Sequence, residues 1–129
     1  MNPIAQIFAM LAGLLHVFIF CMESLWFMRP EIHRRFGAQS TAEAEALRLF
    51  AFNQGFYNLF LALGIVVGLA LLHAGGDLTA ARALVLFSCA CMLGAGLVLL
   101  ISARRRMARA AVIQALFPAL AWAFWFALG

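Results

Sequence analysis

The chain has no lysine, and only 11% of its residues are charged. A water-soluble domain needs polar groups to cover its outer surface, and a chain that is 67% hydrophobic has too few to do so. Nucleic acid is also a poor match for the charge that remains. The formal net charge is +4, but all nine basic residues are Arg, and eight of them lie in or beside two short hydrophilic segments. That placement suits anionic headgroups at the ends of membrane spans, so no nucleic-acid partner is expected. Cys21, Cys89 and Cys91 are an odd number of thiols within apolar runs, which gives no disulfide framework and reads as small packing residues. No metal-ligand spacing and no glycine-rich nucleotide loop occurs, so neither metal nor cofactor is expected, and metal oxidation and ATP-driven work are disfavoured. The start, Met1-Asn2-Pro3, lacks the basic residues of a cleavable leader, and the first apolar run reads as a retained span.

What the chain does have is four apolar runs, at about 4–28, 49–72, 83–101 and 112–128. A helix rises ~1.5 Å per residue, so runs of this length can cross a hydrocarbon layer of ~30 Å, with some tilt or overhang. The expected fold is all-α: a single transmembrane domain over 1–129, built as an integral membrane four-helix bundle. Pro3 suits the start of the first helix and Pro30 its end. Ser40 or Thr41 with Glu43 or Glu45 resembles a helix start ahead of the second span, and Asp77 caps the third helix. If four helices alternate, Arg29, Arg34 and Arg35 fall on the same side as Arg104, Arg105, Arg106 and Arg109, with the weakly charged turn 73–82 opposite. The positive-inside rule then gives both termini outside and both Arg-rich turns in the cytoplasm. Trp26 and Phe27 are expected to anchor one interface, and Trp122 and Trp125 the other. Gly64-Ile65-Val66-Val67-Gly68 signals close helix packing, within the bundle or between subunits.

The candidate site is organised around Glu23, the one acid inside an apolar run. A carboxylate there is costly when charged and unpaired, so it needs a hydrogen-bonding partner, a proton or a watery pocket. His16 lies two helical turns earlier and shares its face. Antiparallel packing of the first two spans brings Asn53, Gln54, Tyr57 and Asn58 to a similar depth. Gln114 enters from the fourth span, one turn before Pro118, which removes the hydrogen bond to the carbonyl of residue 114. The expected ligand-binding set is therefore Glu23, Asn53, Gln54, Asn58, His16, Tyr57 and Gln114.

His16-x-x-x-Phe20-x-x-Glu23-x-x-Trp26, then Asn53-Gln54-Gly55-x-Tyr57-Asn58 with Leu61-Ala62, then Gln114 with Pro118-Ala119, resembles a family of small bacterial four-span membrane proteins catalogued as a domain of unknown function, number 1304. The resemblance covers nearly the whole chain and implies a four-helix, multi-pass protein of a bacterial inner (cytoplasmic) membrane. It carries little about mechanism. A weaker likeness is to the four-helix membrane enzymes of eicosanoid and glutathione metabolism, which assemble as trimers and gather Arg, Asn and Glu at a cytoplasm-facing site. Here Arg48 and Asn53 stand five apart, so that family's Arg-x-x-x-Asn spacing is missing. The reading adopted is a protein that binds a small polar or amphipathic ligand around Glu23 in the cytoplasmic half of the bundle, with transport as its extension. Protonation of Glu23 would then couple binding to pH, and membrane lipids and further copies of the chain would be its partners. A small membrane-embedded enzyme is the alternative, although no nucleophile is evident. A structural protein, its polar groups zipping the bundle together, is another.

Overall fold

The computed structural model describes residues 1–129 and contains helices but no strand. Helix α1 (Pro3–Phe20) continues through a wider turn over Cys21–Leu25. A short helix α2 (Pro30–His33) follows, then the long helices α3 (Thr41–His73), α4 (Leu78–Ala103) and α5 (Ala108–Leu128). Four of these segments are long and apolar enough to cross a membrane. At 33 residues, α3 is ~50 Å long, well beyond a hydrocarbon layer of ~30 Å. Its polar first turns therefore have room to stand outside the apolar layer.

Local chemistry sets the ends of these helices. The Asn2 side chain accepts from the Ala5 N–H, with Pro3 in the first turn where its missing N–H costs nothing. Ser40 Oγ accepts from the Glu43 N–H at 3.2 Å, and Glu43 reaches back to accept from the Gln39 N–H at 2.6 Å. Asp77 accepts from the Ala80 N–H at 2.7 Å. Pro30 opens α2 rather than closing the first span, whose helical run stops at Leu25.

The four long helices form a ring in which α1 packs on α3 and α5, and α4 packs on α3 and α5. The buried positions on α3 include Gly55, Asn58, Ala62, Ile65 and Leu69, alternating three and four apart as in a left-handed bundle. The Gly64/Gly68 pair belongs to the seam with α4, inside the bundle. A Cβ at Gly68 would lie 2.6 Å from Val85 Cγ2 and 2.9 Å from the Ala81 carbonyl oxygen.

One end of the bundle gathers both termini and the turn after α3. The Asn2 N–H donates to the Gly129 carbonyl at 2.8 Å, and His73 Nε2 meets Gln6 Oε1 at 2.7 Å. The other end carries both Arg-rich connectors, joined where Arg106 Nη2 donates to the Gly37 carbonyl at 3.1 Å. The packed core, including Ala9, Ala12, Ile65, Val85, Cys89 and Met92, occupies the half nearer the termini. The Arg-rich half holds a large cavity instead. Phe27 is buried at that end against Ala38 and Ala44, so it secures the connector and is not an exposed interfacial anchor. Trp26 is partly exposed beneath the Arg29 guanidinium.

Candidate functional site

The site begins with the wide turn over Cys21–Leu25. The Trp26 N–H donates to the Cys21 carbonyl at 2.9 Å, five residues back, so one extra residue fits into the turn that carries Glu23. Two contacts with α3 hold it there. Ser24 Oγ donates to the Phe52 carbonyl at 2.7 Å, and the backbone of Gly55 lies against Ser24 so closely that a Cβ would overlap the hydroxyl. Glu23, at only 8% exposure, then faces Asn58, whose Nδ2 donates to Glu23 Oε1 at 2.7 Å. The same amide nitrogen reaches the Gln54 carbonyl at 3.2 Å, one turn back on α3. Glu23 Oε1 is thereby satisfied, and no protein group donates to Oε2.

Beside this pair lies a cavity of about 670 Å³, reached by all four long helices. Its wall is mostly apolar, with Leu15, Phe18, Ile19 and Ala95 at the depth farthest from the Arg-rich end. Glu23, Gln54, Asn58 and Gln114 contribute polar groups from three helices. A shallower groove of about 400 Å³ runs outside α3, lined by Asn53, Tyr57 and Phe50, and Glu23, Gln54 and Phe36 border both spaces.

The seven expected site residues therefore divide. Glu23, Gln54, Asn58 and Gln114 line the inner cavity. Asn53 and Tyr57 line only the outer groove: Asn53 turns its amide back to the Leu49 carbonyl at 2.8 Å, and Tyr57 is 66% exposed. His16 lines neither space. It is fully buried, with Nδ1 2.8 Å from the Ala12 carbonyl and Nε2 without a partner. Leu15, one residue farther from Glu23, does line the cavity, so direction around the helix and not depth keeps His16 out, and the extra residue in the wide turn breaks the seven-residue spacing that would put His16 and Glu23 on one face. Arg48 also lines neither space and pairs with Glu45 at 3.6 Å on the surface.

Arg35, Phe36 and Ser102 border the inner cavity but were not expected there. The connector is folded back to bring Arg35 and Phe36 over the opening. Gly37 turns it in the left-handed region at φ 91°, and His33 Nδ1 meets the Ala38 carbonyl at 3.1 Å. Phe36 packs against Phe27, their ring centroids 6.0 Å apart. The available signal was a basic segment between two spans, which charge placement alone assigns to headgroups.

The fold and site define a four-helix bundle with apolar outer faces, a sealed half and a half hollowed around a hydrogen-bonded acid. Residues 10–126 match the model of a family described as a protein of unknown function (DUF1304), and the chain belongs to that family. No curated protein and no solved structure matches it.

Proposed function

We propose that this is a multi-pass membrane protein that binds a small amphipathic ligand in the cavity between its four long helices, with Glu23, Gln54 and Asn58 meeting the ligand's polar part and Gln114 a further polar contact deeper along it. The observation that carries this reading is the cavity itself. About 670 Å³ lined mainly by apolar side chains, with a few convergent polar groups, is the usual character of a small-molecule site. Helix packing alone gives no reason to leave one half of the core hollow beside a polar pair.

The reading extends to location and assembly. Both Arg-rich connectors are assigned to the cytoplasmic face of a bacterial inner membrane and both termini to the outside, supported by the gathering of the Arg residues at one end of the bundle. Transport would require more than four helices to enclose a path, and hence a second copy of the chain.

The direct bond between Glu23 and Asn58 favours a second reading, in which the polar pair serves only to join α1 to α3. Glu23→Gln and Asn58→Ala separate the two. Under the binding reading Glu23→Gln keeps a folded bundle, because Gln can still accept from Asn58, and loses copurifying ligand. Loss of folded protein in both variants would support zipping and contradict the proposal.

A further inference from the structure

The polarity of the inner cavity changes along its length, and the change specifies a class of ligand. On α1 the lining runs from Leu15 to Glu23, and on α4 from Ala95 to Ser102, both toward the Arg-rich end. Seven to eight steps of helix cover ~10–12 Å, so the space is elongated along the bundle axis. Its inner end is apolar apart from Gln114, which the approach of Gly96 to Ala111 and Ala115 places near the level of Ala95, and its outer end is bordered by Glu23, Gln54, Ser102 and Arg35. Its volume lies in the range for one small ligand.

Glu23 and Arg35 border the same space but form no ion pair with each other, since the one side-chain ion pair in the chain is Arg48 with Glu45. Arg35 offers a planar fork of donors that suits a carboxylate or phosphate. It is exposed at the edge of the cavity, where an acidic head would stay partly hydrated. Glu23 Oε2, without a protein donor, suits a hydroxyl or amine. An acceptor and a donor fork that border one cavity without pairing with each other are complementary to a head that carries an acid beside a hydrogen-bond donor.

Resting on the binding reading above, we infer that the ligand is a single-chain amphipath whose head joins an acidic group to a neighbouring hydroxyl or amine. The acid meets Arg35, the donor meets Glu23 Oε2, and the chain lies inward toward Leu15 and Ala95. Arg35 is thus a specificity residue of the site.

Three radiolabelled probes with one chain length test this on the full-length protein in nanodiscs: β-hydroxydodecanoate, dodecanoate and dodecanol. β-Hydroxydodecanoate should bind most tightly and dodecanol most weakly. Arg35→Gln, a change at an exposed side chain, should weaken both acids about tenfold and leave dodecanol unchanged, the expected effect of losing a charge-assisted hydrogen bond. Replacing Glu23 with Met and Asn58 with Leu together, so that neither polar partner is orphaned, should remove the preference for the hydroxyl-bearing acid. Ala95→Phe fills the inner end and should abolish binding of all three.

Binding that Ala95→Phe abolishes, but that does not depend on head group or Arg35, would overturn the head assignment and leave the binding reading standing. Binding indifferent to Ala95→Phe, or no binding of any probe by a folded protein, would overturn both.

Discussion

Gly55→Ala tests the contact that positions Glu23. Its new Cβ would overlap Ser24 Oγ and sit 3.0 Å from Ser24 Cβ and 3.1 Å from the Ser24 backbone nitrogen. Overpacking of this kind costs about 1–3 kcal/mol. Moving the hydroxyl also gives up its bond to the Phe52 carbonyl, about 0.6 kcal/mol for an interhelical bond in a bilayer. Replacing a mid-helix Gly with Ala returns about 1 kcal/mol. The net loss should be about 0.5–2.5 kcal/mol, read as an earlier midpoint when the protein in dodecyl maltoside is titrated with SDS and followed by tryptophan fluorescence. In a Ser24→Gly background the two nearest atoms, Oγ and Cβ, are gone, so most of the penalty should vanish, a coupling of about 1 kcal/mol. Equal cost in both backgrounds would refute the proposed approach of α1 to α3.

The α3–α4 seam has its own control. Gly68→Ala should destabilise by up to about 2 kcal/mol, because its Cβ meets both Val85 and the Ala81 carbonyl and the overpacking exceeds the helix-propensity gain, while Gly94→Ala should be neutral or slightly stabilising because nothing lies within 4 Å. The same SDS titration reads both. The proposed topology can be checked by replacing Cys21, Cys89 and Cys91 with Ala and adding one Cys at the exposed positions Ala74 or Gln39. A membrane-impermeant maleimide should label Ala74→Cys in intact cells and Gln39→Cys only after permeabilisation; the reverse pattern would overturn the orientation.

The four long helices were legible because a run of twenty or so apolar residues has few ways to satisfy its backbone in a bilayer. The caps at Ser40 and Asp77 were legible because their side chains act over three residues. Glu23 and Asn58 were legible as polar residues in apolar runs, and antiparallel packing was enough to bring them to one depth. The wide turn at Cys21–Leu25 was not, because it follows from contacts with Phe52 and Gly55, about thirty residues further on. His16 shows the limit of helical periodicity, which assigns two residues to one face only while the helix keeps its regular turn, and the wide turn over Cys21–Leu25 interrupts it before Glu23. Arg35 shows another. Charge counting assigned it to topology, and only the fold of the connector, through Gly37, Phe27 and Arg106, brings it to the edge of the cavity.

The central claim is that the hollow half of the bundle holds a ligand, and a structure of the protein in a lipid nanodisc, with native mass spectrometry of the same sample, tests it most directly. The account predicts elongated density in the 670 Å³ cavity, reaching Glu23, Gln54 and Asn58, together with a copurified mass that fits it. A cavity closed by its own side chains around the Glu23–Asn58 bond, with no retained mass, would contradict it.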